Sequence, residues 1–392
     1  MLRSPQKVLL IGVVPRSLVN FRGPLLKELL HEGHSVFAAA NGRDPDTETK
    51  LREMGVEYCP IRLARTGLNP LADMATVWDL VRLMRRTKPQ VVLSYTIKPI
   101  IYGGLAANLC GVQRVFSMVE GLGSVFMSAE SPAHFISSLF AKVLYRIGLS
   151  GSDRVFFLNP DDRTEFIGKR YVPREKAVLL DGIGIDLAHF TEDDLPRRPG
   201  LRFLMVARLL RDKGVSEYLN AAKILRQRQL PAEFILAGDL DENPNSISRD
   251  ELDRWQREGL VQYTGFIEDI RPLFRRCDVF VLPSFYREGT PRTSLEAMAT
   301  GRAVITTDVP GCRETVRPAG GASSGNGLKI GRNGILVPAK DPKALAEAME
   351  FFIKNPDQIA VMGRESRAYA EQRYDVRKVN EMVLREMGLR DR

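Results

Sequence analysis

The chain has 392 residues, 44% of them hydrophobic and 27% charged, with a formal net charge of +9. This balance excludes wholesale disorder, and the length exceeds what one hydrophobic core organises, so two domains are expected. Four cysteines without a CxxC pair and four histidines without an HxxxH or HExxH spacing argue against a disulfide framework, a structural zinc site and a histidine-built metal centre.

The opening apolar run, Val8–Val14, is stopped by Pro15 and Arg16 and is short for a signal peptide. Nowhere do ~18 uncharged apolar residues follow one another, so no membrane-spanning helix is expected. Lys7–Val13 reads as a strand. Phe21–Glu32 reads as a helix, with Leu25, Leu26, Leu29 and Leu30 on one face. Ser35–Ala40, Val56–Leu63, Gln90–Ser94, Gln113–Val119, Asp153–Leu158 and Lys176–Leu180 continue a series of short apolar runs with helices between them. Such runs are strands buried on both faces, and repeated βα units form a parallel sheet. Within this half, Pro132–Gly148 places Phe135, Ile136, Leu139, Phe140, Val143, Leu144 and Ile147 on one helical face, with Lys142 and Arg146 off it. It reads either as a helix packed on its own sheet or as a contact with an anionic membrane surface.

Thr191–Gly200 is charged and proline-rich, a linker. The alternation restarts with the strand Leu201–Ala207, the helix Val215–Gln227, the strands Ala232–Ala237, Leu260–Thr264 and Asp278–Leu282, the helix Arg292–Thr300 and the strand Ala303–Thr306. Pro318–Gly334 is rich in glycine and serine and reads as a mobile loop, and residues 341–387 read as consecutive helices. The expected organisation is an α/β domain over 1–190, a linker over 191–200, a second α/β domain over 201–374, and a C-terminal helix in 375–392 that packs back on the first domain.

The first 190 residues carry 24 Lys and Arg against 18 Asp and Glu, so the positive excess lies mostly there. A basic half can face nucleic acid, an anionic membrane or a polyanionic substrate, or be an ordinary solvated surface. No helix-turn-helix, aromatic RNA motif or dense basic run supports nucleic acid as a partner.

Ligands of parallel sheets bind beyond the carboxyl ends of the strands, so chemistry is sought just after each strand. Phe285–Gly301 follows one of them. Thr290 can cap a helix, Pro291 suits its first position, and the first turn would offer N–H groups and a positive dipole end to a phosphate. Gly289 permits close backbone approach, and Glu288 and Glu296 flank the turn. Arg208 and Lys213, in VARLLRDKG (Val206–Gly214), flank the turn after another strand and can hold a diphosphate. Each alone is equally an ordinary charged loop. Asp44-Pro-Asp46 and Asp239-Leu-Asp241 are three-residue matches to a metal-binding pattern and too weak to assign one.

Together these segments resemble a known family. VARLLRDKG, LVQYTGFIEDI (Leu260–Ile270), DVFVLPSFYREGTPRTSLEAMATGRAVITTD (Asp278–Asp308), PGCRE (Pro310–Glu314) and NGILVP (Asn333–Pro338) occur in the order found in retaining glycosyltransferases of the GT-B fold, family 4. The resemblance implies two Rossmann-like parallel-sheet domains facing a cleft and a metal-independent hexosyltransferase without a cofactor. It implies that Arg208 and Lys213 contact the donor diphosphate and that Glu296 holds the ribose hydroxyls. Glu288 and the backbone of Gly289, Thr290, Arg292 and Thr293 would hold the donor sugar and β-phosphate, while Phe266 and Ile267 border the base. The leaving phosphate would assist the incoming hydroxyl, so neither glutamate need be a covalent nucleophile.

In the amino half Gly12 opens the loop Val13–Asn20, and the absence of GxGxxG counts against a dinucleotide dehydrogenase. The loops after Gln90–Ser94 and Gln113–Val119 hold Tyr95, Thr96, Lys98 and Glu120 where relatives often carry histidines. Glu120 would contact the donor sugar or the acceptor hydroxyl, and Lys98 an acceptor phosphate; Asn20, Arg22, Tyr95 and Thr96 complete the acceptor candidates. VNFRGPLLKEL (Val19–Leu29), LARTGLNPL (Leu63–Leu71), TIKP (Thr96–Pro99), VEGLG (Val119–Gly123) and AGDLDENPNSISRDELDRW (Ala237–Trp255) resemble the subgroup that extends polyprenyl-diphosphate-linked sugars. That implies UDP-GalNAc, UDP-GlcNAc or a related UDP-sugar as donor. It also implies work on the cytoplasmic face of a bacterial plasma membrane, in surface glycan or glycoprotein assembly. A UDP-sugar 2-epimerase or another GT-B enzyme is the alternative, and a basic nucleic-acid-binding protein the weaker one.

Overall fold

The computed structural model describes residues 4–64, 67, 69–122, 142–195, 200–241, 243, 245–320 and 327–390. The chain divides into two compact units, Met1–Gly184 with Val376–Arg392, and Ile185–Asp375.

In the first unit the strands are β1 (Lys7–Ile11), β2 (Ser35–Asn41), β3 (Glu57–Ile61), β4 (Val91–Tyr95), β5 (Arg114–Val119), β6 (Arg154–Phe157) and β7 (Ala177–Leu179). They lie in the order β3-β2-β1-β4-β5-β6-β7, all parallel. The helices are α1 (Pro15–Asn20), α2 (Gly23–His31), α3 (Pro45–Met54), α4 (Pro70–Thr87), α5 (Ile97–Cys110), α6 (residues 142–150) and α7 (Pro160–Gly168). The pleat of β1 sorts its residues: Val8 and Leu10 pack with Leu25, Leu26 and Leu29 of α2, while Leu9 and Ile11 pack with α4 and α5. The segment after β1, read as a loop, forms α1 instead. Pro15 fits the first turn of that helix and Leu18 is buried.

The second unit contains β8 (Leu201–Val206), β9 (Ala232–Ala237), β10 (Gln262–Tyr263), β11 (Val279–Leu282), β12 (Ala303–Thr307), β13 (Lys329–Ile330) and β14 (Gly334–Val337). Their order is β10-β9-β8-β11-β12-β14-β13, parallel except for β13 against β14. Thus Pro318–Gly334 is not all loop: β13 pairs antiparallel with β14, and residues 321–326 lie outside the described residues. The helices are α8 (Val215–Gln227), α9 (Arg249–Arg257), α10 (Arg271–Arg276), α11 (Arg292–Ala299), α12 (Pro342–Lys354) and α13 (Asp357–Arg373).

The segment read as a linker is held by the second unit. The fully buried Arg302 donates to the carbonyls of Phe274 (2.8 Å), Asp193 (2.8 Å) and Asp194 (3.1 Å), which satisfies a guanidinium that burial would otherwise penalise. The division between units therefore falls at Gly184–Ile185, before Thr191, and residues 196–199 lie outside the described residues. The last helix, α14 (Val376–Glu386), belongs to the first unit, where Val383, Leu384, Met387 and Leu389 join the α2 side of the core. Arg390 clamps this end to Glu28 and Glu32, each at 2.7 Å. Among the described residues no helix is long and apolar enough to cross a membrane.

Candidate active site

β8 and β11 are parallel neighbours, so the turns that leave them emerge side by side. Backbone contacts lock these turns together. Gly214, at φ +82°, has no room for a Cβ, which would overlap the carbonyl oxygen of Pro283. The carbonyl of Asp212 accepts from the N–H of Phe285 (2.9 Å) and of Tyr286 (3.0 Å). Beneath them passes Gly311, whose missing side chain admits the carbonyls of Glu288 and Gly289.

This lock brings Lys213 and Glu288 into an ion pair, both largely buried. The ammonium also lies 5.1 Å from the Tyr286 ring centroid, and Ser284 donates its hydroxyl to the same Glu288 oxygen at 3.0 Å. Burial raises the Asp212 carboxyl above its ordinary value, with Lys213 opposing the shift. The Cys312 thiol, buried and beside the Glu288 charge, is pushed up to about 12.

α11 starts at Arg292, as expected, but with a different cap. Pro291, with the extended backbone of an N-cap (φ −63°, ψ 116°), precedes the first helical residue, Arg292, so the cap is not Thr290. Inside the helix Glu296 is buried and accepts from Arg292 Nε at 2.8 Å. Burial raises its carboxyl, and Arg292 draws it down. Ser294 is buried in the first turn, its hydroxyl without a hydrogen-bond partner among the described residues.

Arg208 leaves β8 toward a different partner. It donates to Asp241 at 2.8 Å and is 42% exposed. The expected cation pair is therefore two ion pairs on one turn, Lys213 with Glu288 and Arg208 with Asp241. This engagement of Asp241, and the capping of α3 by Asp44 through the Thr47 N–H (3.1 Å), give both Asp-x-Asp segments structural work. Phe266 is exposed just after β10, and Ile267 is half-buried against the second core.

The first unit gathers a second constellation at the carboxyl ends of β1, β4 and β5. Tyr95 occupies the space left by the missing side chain of Gly12. Its hydroxyl lies 2.8 Å from Ser17 Oγ on α1. The guanidinium of buried Arg22 sits 4.8 Å from the Tyr95 ring centroid and donates to Glu120. Burial raises the Tyr95 phenol, and Arg22 opposes this. Thr96, which follows, has φ +68° and ψ 161°, a strained backbone for a residue with a Cβ, and its hydroxyl is buried without a hydrogen-bond partner among the described residues.

Two expectations change here. Lys98 does not stand open to a phosphate: it pairs with Asp73 at 3.1 Å, both mostly buried. Asn20 ends α1, exposed. Of the amphipathic segment Pro132–Gly148, residues 132–141 lie outside the described residues. In the rest, Leu144 packs inward, whereas Val143 and Ile147 are exposed beside Lys142 and Arg146, so the single apolar face divides. Sequence reasoning missed Ser17, Ser284 and Asp212. Short hydroxyls carry no spacing signal, and Asp212 acts mainly through its backbone carbonyl.

A family profile for "Glycosyl transferases group 1" matches residues 200–355, and one for "Glycosyl transferase 4-like domain" matches residues 22–181. The chain is 29% identical over 353 residues to the N,N'-diacetylbacillosaminyl-diphospho-undecaprenol alpha-1,3-N-acetylgalactosaminyltransferase of Campylobacter jejuni, covering 86% of this chain and 87% of that protein. It is 28% identical over 257 residues to the UDP-Gal:alpha-D-GlcNAc-diphosphoundecaprenol alpha-1,3-galactosyltransferase of Escherichia coli, covering 62% and 64%. The crystal structure of Anabaena HepE in complex with UDP and glucose superposes with a TM-score of 0.75 at 18% identity, over 98% of this chain and 99% of that one.

Proposed function

The chain belongs to the group 1 glycosyltransferases and has their two Rossmann-like domains of the GT-B fold, and from this premise we propose its substrates and site. It moves an N-acetylhexosamine or hexose from a UDP-sugar to a saccharide carried on a polyprenyl diphosphate, with retention at the anomeric carbon, in bacterial surface glycan or glycoprotein assembly. The acceptor class follows the names of the two relatives.

The observation that carries this reading is the Lys213–Glu288 pair, fixed with Ser284 where β8 and β11 end. A diphosphate competes with Glu288 for the ammonium, because it brings more negative charge to the same point. Arg208 swings from Asp241 to a second phosphate oxygen, which its partly exposed position allows. The start of α11 adds a positive dipole end, and Gly289, Thr290 and Thr293 supply backbone. Glu296 accepts from the ribose hydroxyls, while Phe266 and Ile267 border the base.

In transfer, the bond from the sugar's anomeric carbon to the diphosphate oxygen breaks and one to the acceptor oxygen forms. The acceptor's proton passes to the departing phosphate. Lys213 and Arg208 stabilise the charge that develops there, which is differential binding of the transition state. Glu120, oriented by Arg22 over Tyr95, accepts a hydrogen bond from the incoming hydroxyl, and Asn20 and Thr96 line its approach.

Thermal shift and transfer assays test this with UDP-GalNAc and UDP-GlcNAc, a prenyl-diphosphate-linked saccharide as acceptor, and the Lys213→Ala variant. One UDP-sugar raises the melting temperature of the wild type, and the variant loses both the shift and the transfer. No shift with any UDP-sugar, or full turnover in the variant, overturns the reading.

A further inference from the structure

Helix α4 carries an exposed stripe that no described residue of its own unit covers. Leu71, Met74, Trp78, Arg82 and Arg85 follow at spacings of three and four, which places them on one helical face, Lys88 caps the helix just beyond them, and all six are exposed. Leu71 is 79%, Met74 69% and Trp78 57% exposed. The opposite face, with Leu80, Val81, Leu83 and Met84, is buried against the sheet. The stripe is thus apolar along its first turns and cationic along its last, with the Arg82 guanidinium 5.9 Å from the Trp78 ring centroid.

Two further observations give the stripe a partner. Its acidic neighbours are engaged elsewhere: Asp73 pairs with Lys98, and Asp79 accepts from Arg62 through both oxygens, at 2.7 and 2.6 Å. The stripe positions themselves carry no carboxylate, and Asp79, whose hydrogen bonds go to Arg62, adds only an attraction to Arg82. Exposed apolar side chains are also concentrated on this layer. Of the twelve large ones exposed among the described residues, six belong to α4, α5 and α6: Leu71, Met74, Trp78, Leu109, Val143 and Ile147. Lys142 and Arg146 flank the last two. Apolar patches of this kind, mixed with cations, mark interaction surfaces.

We propose that this face docks on an anionic lipid bilayer. Leu71, Met74 and Trp78 enter the boundary between headgroups and acyl chains, and Arg82, Arg85 and Lys88 meet lipid phosphates. The partner rests on the reading above, in which the acceptor is held in a membrane by its prenyl chain.

Vesicle binding tests the proposal. Trp78 and Trp255 are the two tryptophans, so Trp255→Phe leaves Trp78 as the sole reporter. Vesicles of phosphatidylcholine with phosphatidylglycerol blue-shift Trp78 emission and carry the protein down on sedimentation, vesicles of phosphatidylcholine alone do so far less, and added salt weakens the binding. Met74→Ser with Trp78→Ser lowers the partition coefficient about tenfold or more. Arg82→Gln with Arg85→Gln removes the preference for phosphatidylglycerol. Both double variants keep the thermal shift with a UDP-sugar, since they lie outside the donor site. Unchanged Trp78 emission with vesicles, or wild-type sedimentation of the Met74/Trp78 variant, overturns the proposal. So does a dimer that this variant abolishes while vesicles leave the wild type unmoved, because the face is then covered by a second copy. A wild type that binds vesicles but no UDP-sugar overturns the donor assignment instead.

Discussion

The carboxyl edges of the two sheets are built by different means. In the second unit the groups are positioned by backbone: Gly214 against the Pro283 carbonyl, Asp212 accepting from two amides, Gly311 under Glu288. In the first unit they are positioned by side chains stacked on one another: Tyr95 in the space at Gly12, Ser17 on its hydroxyl, Arg22 on its face, Glu120 on Arg22. A backbone-built edge keeps its shape when neighbouring side chains change, which suits a donor diphosphate of constant form. A side-chain-built edge changes with each substitution, which suits an acceptor that differs between enzymes.

Substitutions can break or sharpen this contrast. The largest effect is expected from Lys213→Ala, which lowers kcat/KM about 10²–10³-fold, the range for removing one group that stabilises a developing oxyanion, with the fold intact by circular dichroism. Next is Gly214→Ala. A Cβ at φ +82° costs roughly 1–2 kcal/mol before its overlap with Pro283 is counted, and urea denaturation reads the loss together with weaker UDP-sugar binding. Tyr95→Phe is milder, removing only the bond to Ser17, about 1 kcal/mol by denaturation. It raises the acceptor KM and leaves the donor thermal shift unchanged. If the donor shift falls as well, the two edges are not separable as described.

The smallest effect is a pH dependence. Burial raises the folded-state pKa of Glu296 above its ordinary 4.5, so the folded protein holds that proton more tightly than the unfolded chain. Its contribution is fully present below pH 4.5 and is lost as pH rises through the folded value. Glu296→Gln, which does not ionise, is therefore more stable than wild type at neutral pH, and the difference narrows toward pH 4.5. Melting temperatures across that range check the sign. On the proposed ribose contact, the same variant is expected to bind UDP-sugar more weakly, which the donor thermal shift reads.

Much of the second edge was legible in sequence because its signals are local. VARLLRDKG and FYREGTPRTSLEAMATG each follow a continuous apolar run, and their glycines mark backbone approach. Which cation meets which acid was not legible, since Arg208 finds Asp241 across a strand boundary and Lys213 finds Glu288 across 75 positions. In the first unit Gly12, Arg22, Tyr95 and Glu120 were named singly, but nothing in their spacing says that they touch. α1 was missed because six residues opened by proline look like a turn. The α4 stripe was invisible for a different reason: periodicity locates an apolar face but does not tell a covered face from a bare one.

The return of α14 to the first unit bears on how the protein is made. Synthesis runs from the amino terminus, so the α2 side of the first core waits for Val383, Leu384, Met387 and Leu389 until the whole second unit has been made. The second unit, Ile185–Asp375, has all of its own residues before then. A nascent chain paused just after Asp375 would carry a finished second unit and a first unit with an apolar gap, a natural station for a ribosome-bound chaperone.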